Sequence, residues 1–121
     1  MHEMSIATSL MDQLERLAEE QAVVRITEVE VVCGVMQQIV PEALQLAFEA
    51  VSADTVAAGA VLTIVEEGLV ARCQSCGRQY EPAIDDFRCP ACGTANPELL
   101  AGRDIVLRSV GCETEGEAAA S

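Results

Sequence analysis

Cys73-Gln74-Ser75-Cys76-Gly77 and, after eleven further residues, Cys89-Pro90-Ala91-Cys92-Gly93 place two Cys-x-x-Cys turns across a short loop. This is the spacing of a zinc ribbon. Four thiolates at about 2.3 Å satisfy tetrahedral Zn²⁺ with no open position, and the two-residue gap lets each turn offer both sulfurs to one ion. Gly77 and Gly93 follow the pairs directly, where a backbone wrapping a metal needs positive φ or room for N–H groups to approach sulfur. A rubredoxin-like iron site and a pair of redox dithiols fit the same spacing and stand as the alternatives to structural zinc. The cysteines therefore speak for a metal and say little about function.

Size and composition bound the remainder. The 121 residues suffice for one modest core, and two Phe, one Tyr and no Trp leave that core to Val, Leu, Ile and Ala, with the metal stapling what they do not hold. No charged-then-apolar leader opens the sequence and no apolar run approaches ~18 residues, so a cytoplasmic protein with reduced thiols is expected. The net charge of −13 is unevenly spread: residues 1–68 set Arg16 and Arg25 against twelve acids, whereas residues 69–110 balance five Arg with five acids. Arg72, Arg78 and Arg88 are placed to offset the formal −2 of a zinc tetrathiolate. With no lysine and no basic stripe, the ribbon is a poor grip for nucleic-acid phosphates.

Periodicity supplies the framework around the ribbon. Ser5 to Gln21 carries Ala7, Leu10, Met11, Leu14, Leu17 and Ala18 at helical spacing with Asp12, Glu15, Glu19 and Glu20 outside, which predicts an amphipathic helix. Arg25 to Cys33 alternates, with Thr27, Val29, Val31 and Cys33 on one side, as a half-buried strand does; Cys33 reads as a small apolar residue. Pro41 suits a first helical position, and Leu44, Ala47, Phe48 and Val51 mark the buried stripe of a second helix. Ala60 to Glu66 and Asp104 to Val110 read as further strands, with Gly68 and Gly102 as hinges into and out of the ribbon. The expected fold is α+β: two helices packed on a small three-stranded sheet, with an inserted zinc-ribbon module. Its expected parts are a lobe of residues 1–68 completed by strand 103–110, a zinc lobe of residues 69–102, and a disordered acidic tail of residues 111–121 holding an incidental thiol at Cys112.

The chain opens Met1-His2-Glu3, and His2 is its only histidine. A histidine second from a free amine can chelate one ion through that amine, its own deprotonated amide nitrogen and its imidazole, in small rings that favour tetragonal Ni²⁺ or Cu²⁺. The plain alternative is a frayed terminus that binds nothing.

Three separated stretches decide between these readings: Met1-His2-Glu3-Met4-Ser5; Gly34 through Val40-Pro41-Glu42-Ala43-Leu44 to Ala47-Phe48-Glu49; and the closing cysteine ribbon. In that order they resemble the HypA/HybF family, nickel metallochaperones that help mature NiFe hydrogenases, over nearly the whole chain except its tail. The resemblance implies a nickel site at the amino terminus built from His2, a neighbouring backbone nitrogen and Glu3, with the Met1 amine alongside. It implies zinc on Cys73, Cys76, Cys89 and Cys92, and partners in the GTPase HypB and the NiFe hydrogenase large-subunit precursor, some members also serving urease. Members often carry an acid just ahead of the second helix, where this chain has Val40. Glu42 stands nearby, at a helix start where a carboxylate already favours the dipole.

The implied division of labour is a closed, buried Cys₄ shell that keeps shape and an open terminal site that exchanges cargo, with no enzymatic step. The competing reading is a zinc-ribbon protein–protein adaptor that never handles nickel. A zinc hydrolase or deaminase is disfavoured, because four cysteines leave zinc no water position and no second histidine exists to act as base.

Overall fold

The computed structural model describes residues 2–114. Helix α1 spans His2–Glu20, strand β1 Val23–Gly34, helix α2 Pro41–Ser52 and strand β2 Val61–Glu67, with one 3-10 turn at Val35–Gln37 between β1 and α2. Strands β3 (Val70–Cys73), β4 (Gln79–Tyr80), β5 (Pro97–Ala101) and β6 (Ile105–Thr114) follow. They form two three-stranded sheets, ordered β2-β1-β6 and β4-β3-β5. By contacts the chain divides into one unit of residues up to Val31, Ile39–Ile64 and the segment from Leu107, and another of Val32–Gln38 with Val65–Val106.

In the first unit the helical stripe does what its spacing demands. Ala7, Leu10, Met11 and Leu14 of α1 are buried, as are Leu44, Ala47 and Phe48 of α2, and the two helices pack together. Val23, Ile26, Val29 and Val31 of β1 and Leu62 of β2 complete the core. Pro41 occupies the first turn of α2, where its missing N–H is no loss. Helix α1 begins at His2 and not at Ser5.

Strand β1 departs from simple alternation at both ends: Ile26 is buried out of step, and the last four residues, Val31 to Gly34, are all buried. A strand covered on both faces loses its polar side. Its partner β6 runs antiparallel, since Gly34 N–H donates to the Asp104 carbonyl, Glu30 pairs with Arg108, and Thr27 Oγ1 donates to the Gly111 carbonyl. This last bond lies within the stretch expected to be tail. Residues 111–114 are strand, not disordered chain, while residues 115–121 lie outside the described residues. Small, acidic composition concealed an edge strand whose order comes from β1.

The second unit contains a sheet that the sequence pattern did not announce. Strand β3 pairs antiparallel with β4, aligning Ala71 with Tyr80, and with β5, aligning Ala71 with Leu99 and Arg72 with Glu98. Around its entry and exit the backbone is closely packed. A Cβ on Gly34 would sit 2.3 Å from the Gly102 carbonyl, and one on Gly102, at φ +89°, would sit 2.6 Å from the Gly68 oxygen. The Gly102 N–H donates to Glu67 Oε1 at 3.0 Å, and its carbonyl accepts from Met36 N–H. Gly34 itself has φ −65°, which any residue can adopt, so its requirement is space. Gly68, by contrast, has nothing within 4 Å of an added Cβ. We therefore expect Gly34→Ala to lose about 1–3 kcal/mol in urea unfolding and Gly68→Ala to stay within about 0.5 kcal/mol of the parent. Equal effects would remove the close-approach explanation.

Candidate metal centre

The ribbon builds its metal cradle twice by one local device. In the first knuckle Gly77 N–H donates to the Cys73 carbonyl at 2.7 Å and Cys73 N–H to the Arg78 carbonyl; in the second, Gly93 N–H donates to the Cys89 carbonyl at 2.8 Å and Cys89 N–H to the Thr94 carbonyl. Gly77 and Gly93 take φ +79° and +75°, a turn that a side chain would strain. Each knuckle thus presents two sulfurs to the same point.

All four ligand atoms, those of Cys73, Cys76, Cys89 and Cys92, lie within 4.8 Å of one another. Two close sulfur contacts cross between knuckles, Cys73 to Cys92 and Cys76 to Cys89, each 3.6 Å. Sulfurs at about 2.3 Å from a tetrahedral ion stand about 3.8 Å apart, so the quartet fits zinc. A disulfide needs about 2.05 Å, and the six cysteines are free. Two independent redox dithiols would keep their sulfurs in separate pairs, whereas here all four gather at one point.

Burial divides the quartet. Cys73 and Cys89 are buried and Cys76 and Cys92 are exposed, so the cluster is open to solvent on one side, unlike the buried cage expected. Hydrogen bonding from Thr94 holds the Cys92 thiol down to about 6. The inner sulfurs pack with Ala71, Tyr80 and the partly buried Leu99. Tyr80, the chain's one tyrosine, escaped sequence reasoning; it fills this small core and donates its hydroxyl to the Phe87 carbonyl at 2.6 Å. Its signal lay in being the only large aromatic beside the first knuckle.

Two of the three arginines expected to balance the cluster are engaged elsewhere. Arg88 grips Asp86 with Nε and Nη2, both at 2.9 Å, which holds the Asp86 carboxyl down to about 2. Arg72 faces Glu98 at 3.7 Å across the β3–β5 pair.

The amino-terminal residues are arranged otherwise. His2 begins α1 and is exposed, and its carbonyl accepts from Ser5 Oγ at 2.9 Å. Glu3, half-buried, accepts at Oε2 from the Val40 N–H at 3.2 Å, and that hydrogen bond is the main cause holding its carboxyl below the usual range. Val40 is about half exposed and Glu42 lies in the first turn of α2. Among the described residues the cysteine quartet is the only group of three or more His, Cys, Asp or Glu ligand atoms gathered within 4.8 Å; Glu42 does not join His2 and Glu3 in one. Met1 lies outside the described residues.

A two-helix α+β unit joined to a four-cysteine ribbon defines a small metal-binding protein. The family model described as "Hydrogenase/urease nickel incorporation, metallochaperone, hypA" matches residues 1–112. The hydrogenase maturation factor HypA of Chlorobium limicola is 38% identical over 117 residues, covering 97% of this chain and 100% of that protein. That of Chlorobium luteolum is 35% identical with the same coverage. The solution structure of the Ni metallochaperone HypA from Helicobacter pylori superposes with a TM-score of 0.74 at 28% identity, covering 95% of this chain and 100% of that one. The chain belongs to the HypA family of nickel-incorporation metallochaperones.

The ribbon's core is too small to hold its knuckles without an ion, whereas the helices have a core of their own. Cys73→Ser should therefore abolish stoichiometric metal in elemental analysis and remove amide protection from β3, β4 and β5. Protection in α1 and α2 should persist.

Proposed function

We propose that this chain binds Ni²⁺ at its amino terminus and hands it on for the maturation of NiFe hydrogenase, while zinc on Cys73, Cys76, Cys89 and Cys92 keeps the ribbon folded. The observation that carries this reading is the family match over residues 1–112, which includes Met1-His2-Glu3. The fit of the sulfur quartet to a zinc–thiolate tetrahedron supports the structural ion.

The nickel is cargo, and its donors are the Met1 amine, the backbone nitrogen and imidazole of His2, and Glu3. Nitrogen donors in small chelate rings suit tetragonal Ni²⁺ better than Zn²⁺, which prefers a tetrahedron. The exposure of His2 on the first turn of α1 leaves that site open to an acceptor's ligands, as transfer by ligand exchange requires. A Cys₄ shell has no open position and exchanges slowly. Residues 1–68 with 103–110 form the nickel lobe of this reading and residues 69–102 the zinc lobe. Its partners are HypB and the hydrogenase large-subunit precursor, its location the cytoplasm, where thiolate ligands stay reduced, and it performs no catalysis.

Nickel titration of untagged protein tests the proposal. Wild-type protein should bind one Ni²⁺ per chain, and His2→Ala should weaken binding by at least about a hundredfold, with zinc content unchanged. An extension ahead of Met1 should abolish or reshape nickel binding, because it consumes the amine. Equal affinity in wild type and His2→Ala would leave only a zinc-ribbon adaptor.

A further inference from the structure

Glu3 has one carboxylate and, in this fold, a structural task for part of it. Its Oε2 accepts the backbone N–H of Val40 across thirty-seven positions of sequence, joining the first turn of α1 to the residue that caps α2. The α2 end needs such a contact. Val40 is its N-cap in extended conformation and has no side chain able to cap, and Pro41 brings no N–H. The carboxylate also lies where negative charge is favoured, in the first turn of its own helix and at the start of α2.

We propose that Glu3 is a positioning residue: its hydrogen bond to Val40 clips the start of α1 onto the start of α2 and so fixes where His2 is presented. This rests on the reading of the terminus as the nickel site and adds to it. An ionised carboxylate accepts through two oxygens, so Oε2 can hold the Val40 N–H while Oε1 stays available to the cargo. The clip also accounts for a helix that starts at His2, five residues before the first buried position of its stripe at Ala7. An unclipped first turn would fray, and each nickel capture would then have to order it.

The arrangement asks of position 40 only a backbone donor. Val40 itself supplies no oxygen, and its side chain is 52% exposed. What it contributes is the N–H that Glu3 uses. Glu3 thus shapes the site through the backbone of a residue with no ligand atom in its side chain.

Two substitutions separate positioning from ligation. Glu3→Gln keeps an oxygen that can accept from Val40 N–H but removes the anionic donor, and Glu3→Ala removes both. In nickel-free, zinc-replete protein, Glu3→Ala should speed amide exchange at Val40 and in the first turn of α1 about tenfold, equivalent to about 1.4 kcal/mol. Glu3→Gln should stay within about threefold of wild type. Nickel affinity of untagged protein should follow the same order, with Glu3→Ala weakened about 10–100-fold and Glu3→Gln substantially less. Unchanged exchange at Val40 in Glu3→Ala, or equal nickel loss in the two variants, would overturn the positioning role. The His2→Ala control keeps the two readings apart: wild-type affinity there removes the nickel site, while the exchange result still decides whether the clip exists.

Discussion

Four sulfurs confined to one small volume are the constraint on which the ribbon depends. As thiolates they repel one another, and only Ala71, Tyr80 and the partly buried Leu99 pack around the two inner ones. A strand of four residues, a strand of two and a strand of five do not make an independently stable sheet. A divalent ion turns mutual repulsion into four bonds and makes the ordering of both knuckles worthwhile. With Cys76 and Cys92 exposed, burial holds only half of the quartet.

The helical unit answers to different physics. Its order comes from apolar stripes on α1 and α2 packed with β1, so it needs no ion to exist, and its amino-terminal turn can carry groups devoted to something other than folding. His2 is exposed at that turn, and Glu3 is tied to Val40. A helix that begins with an exposed histidine is a different device from a gathered cluster of four cysteines. In the proposed reading one chain thus separates a metal that must stay from a metal that must leave.

Much of this was legible in the sequence, and the omissions have physical causes. The cysteine spacing picked out the four residues whose sulfurs the fold gathers within 4.8 Å of one another, and the positions of Leu10, Leu14, Leu44 and Phe48 revealed both helices through their period. The second sheet was hidden because β3, β4 and β5 are too short to show alternation. Residues 111–114 looked like a tail because their order is borrowed from Thr27 on β1. The start of α1 at His2 was missed because the apolar stripe begins only at Ala7 and the Glu3 contact to Val40 is non-local. Gly68 and Gly102 were visible as punctuation, but only coordinates separate a glycine pressed against Gly34 from one that faces open space. The charge balance assigned to Arg72 and Arg88 likewise overlooked Glu98 and Asp86, which hold them.

X-ray absorption at the nickel and zinc edges of one loaded, authentic-ended sample tests the central claim most directly. The account predicts a nickel shell of nitrogen and oxygen donors with an imidazole signature that disappears in His2→Ala, beside a zinc shell of four sulfurs that does not change. Sulfur donors on nickel, or a nickel spectrum indifferent to His2, would contradict it.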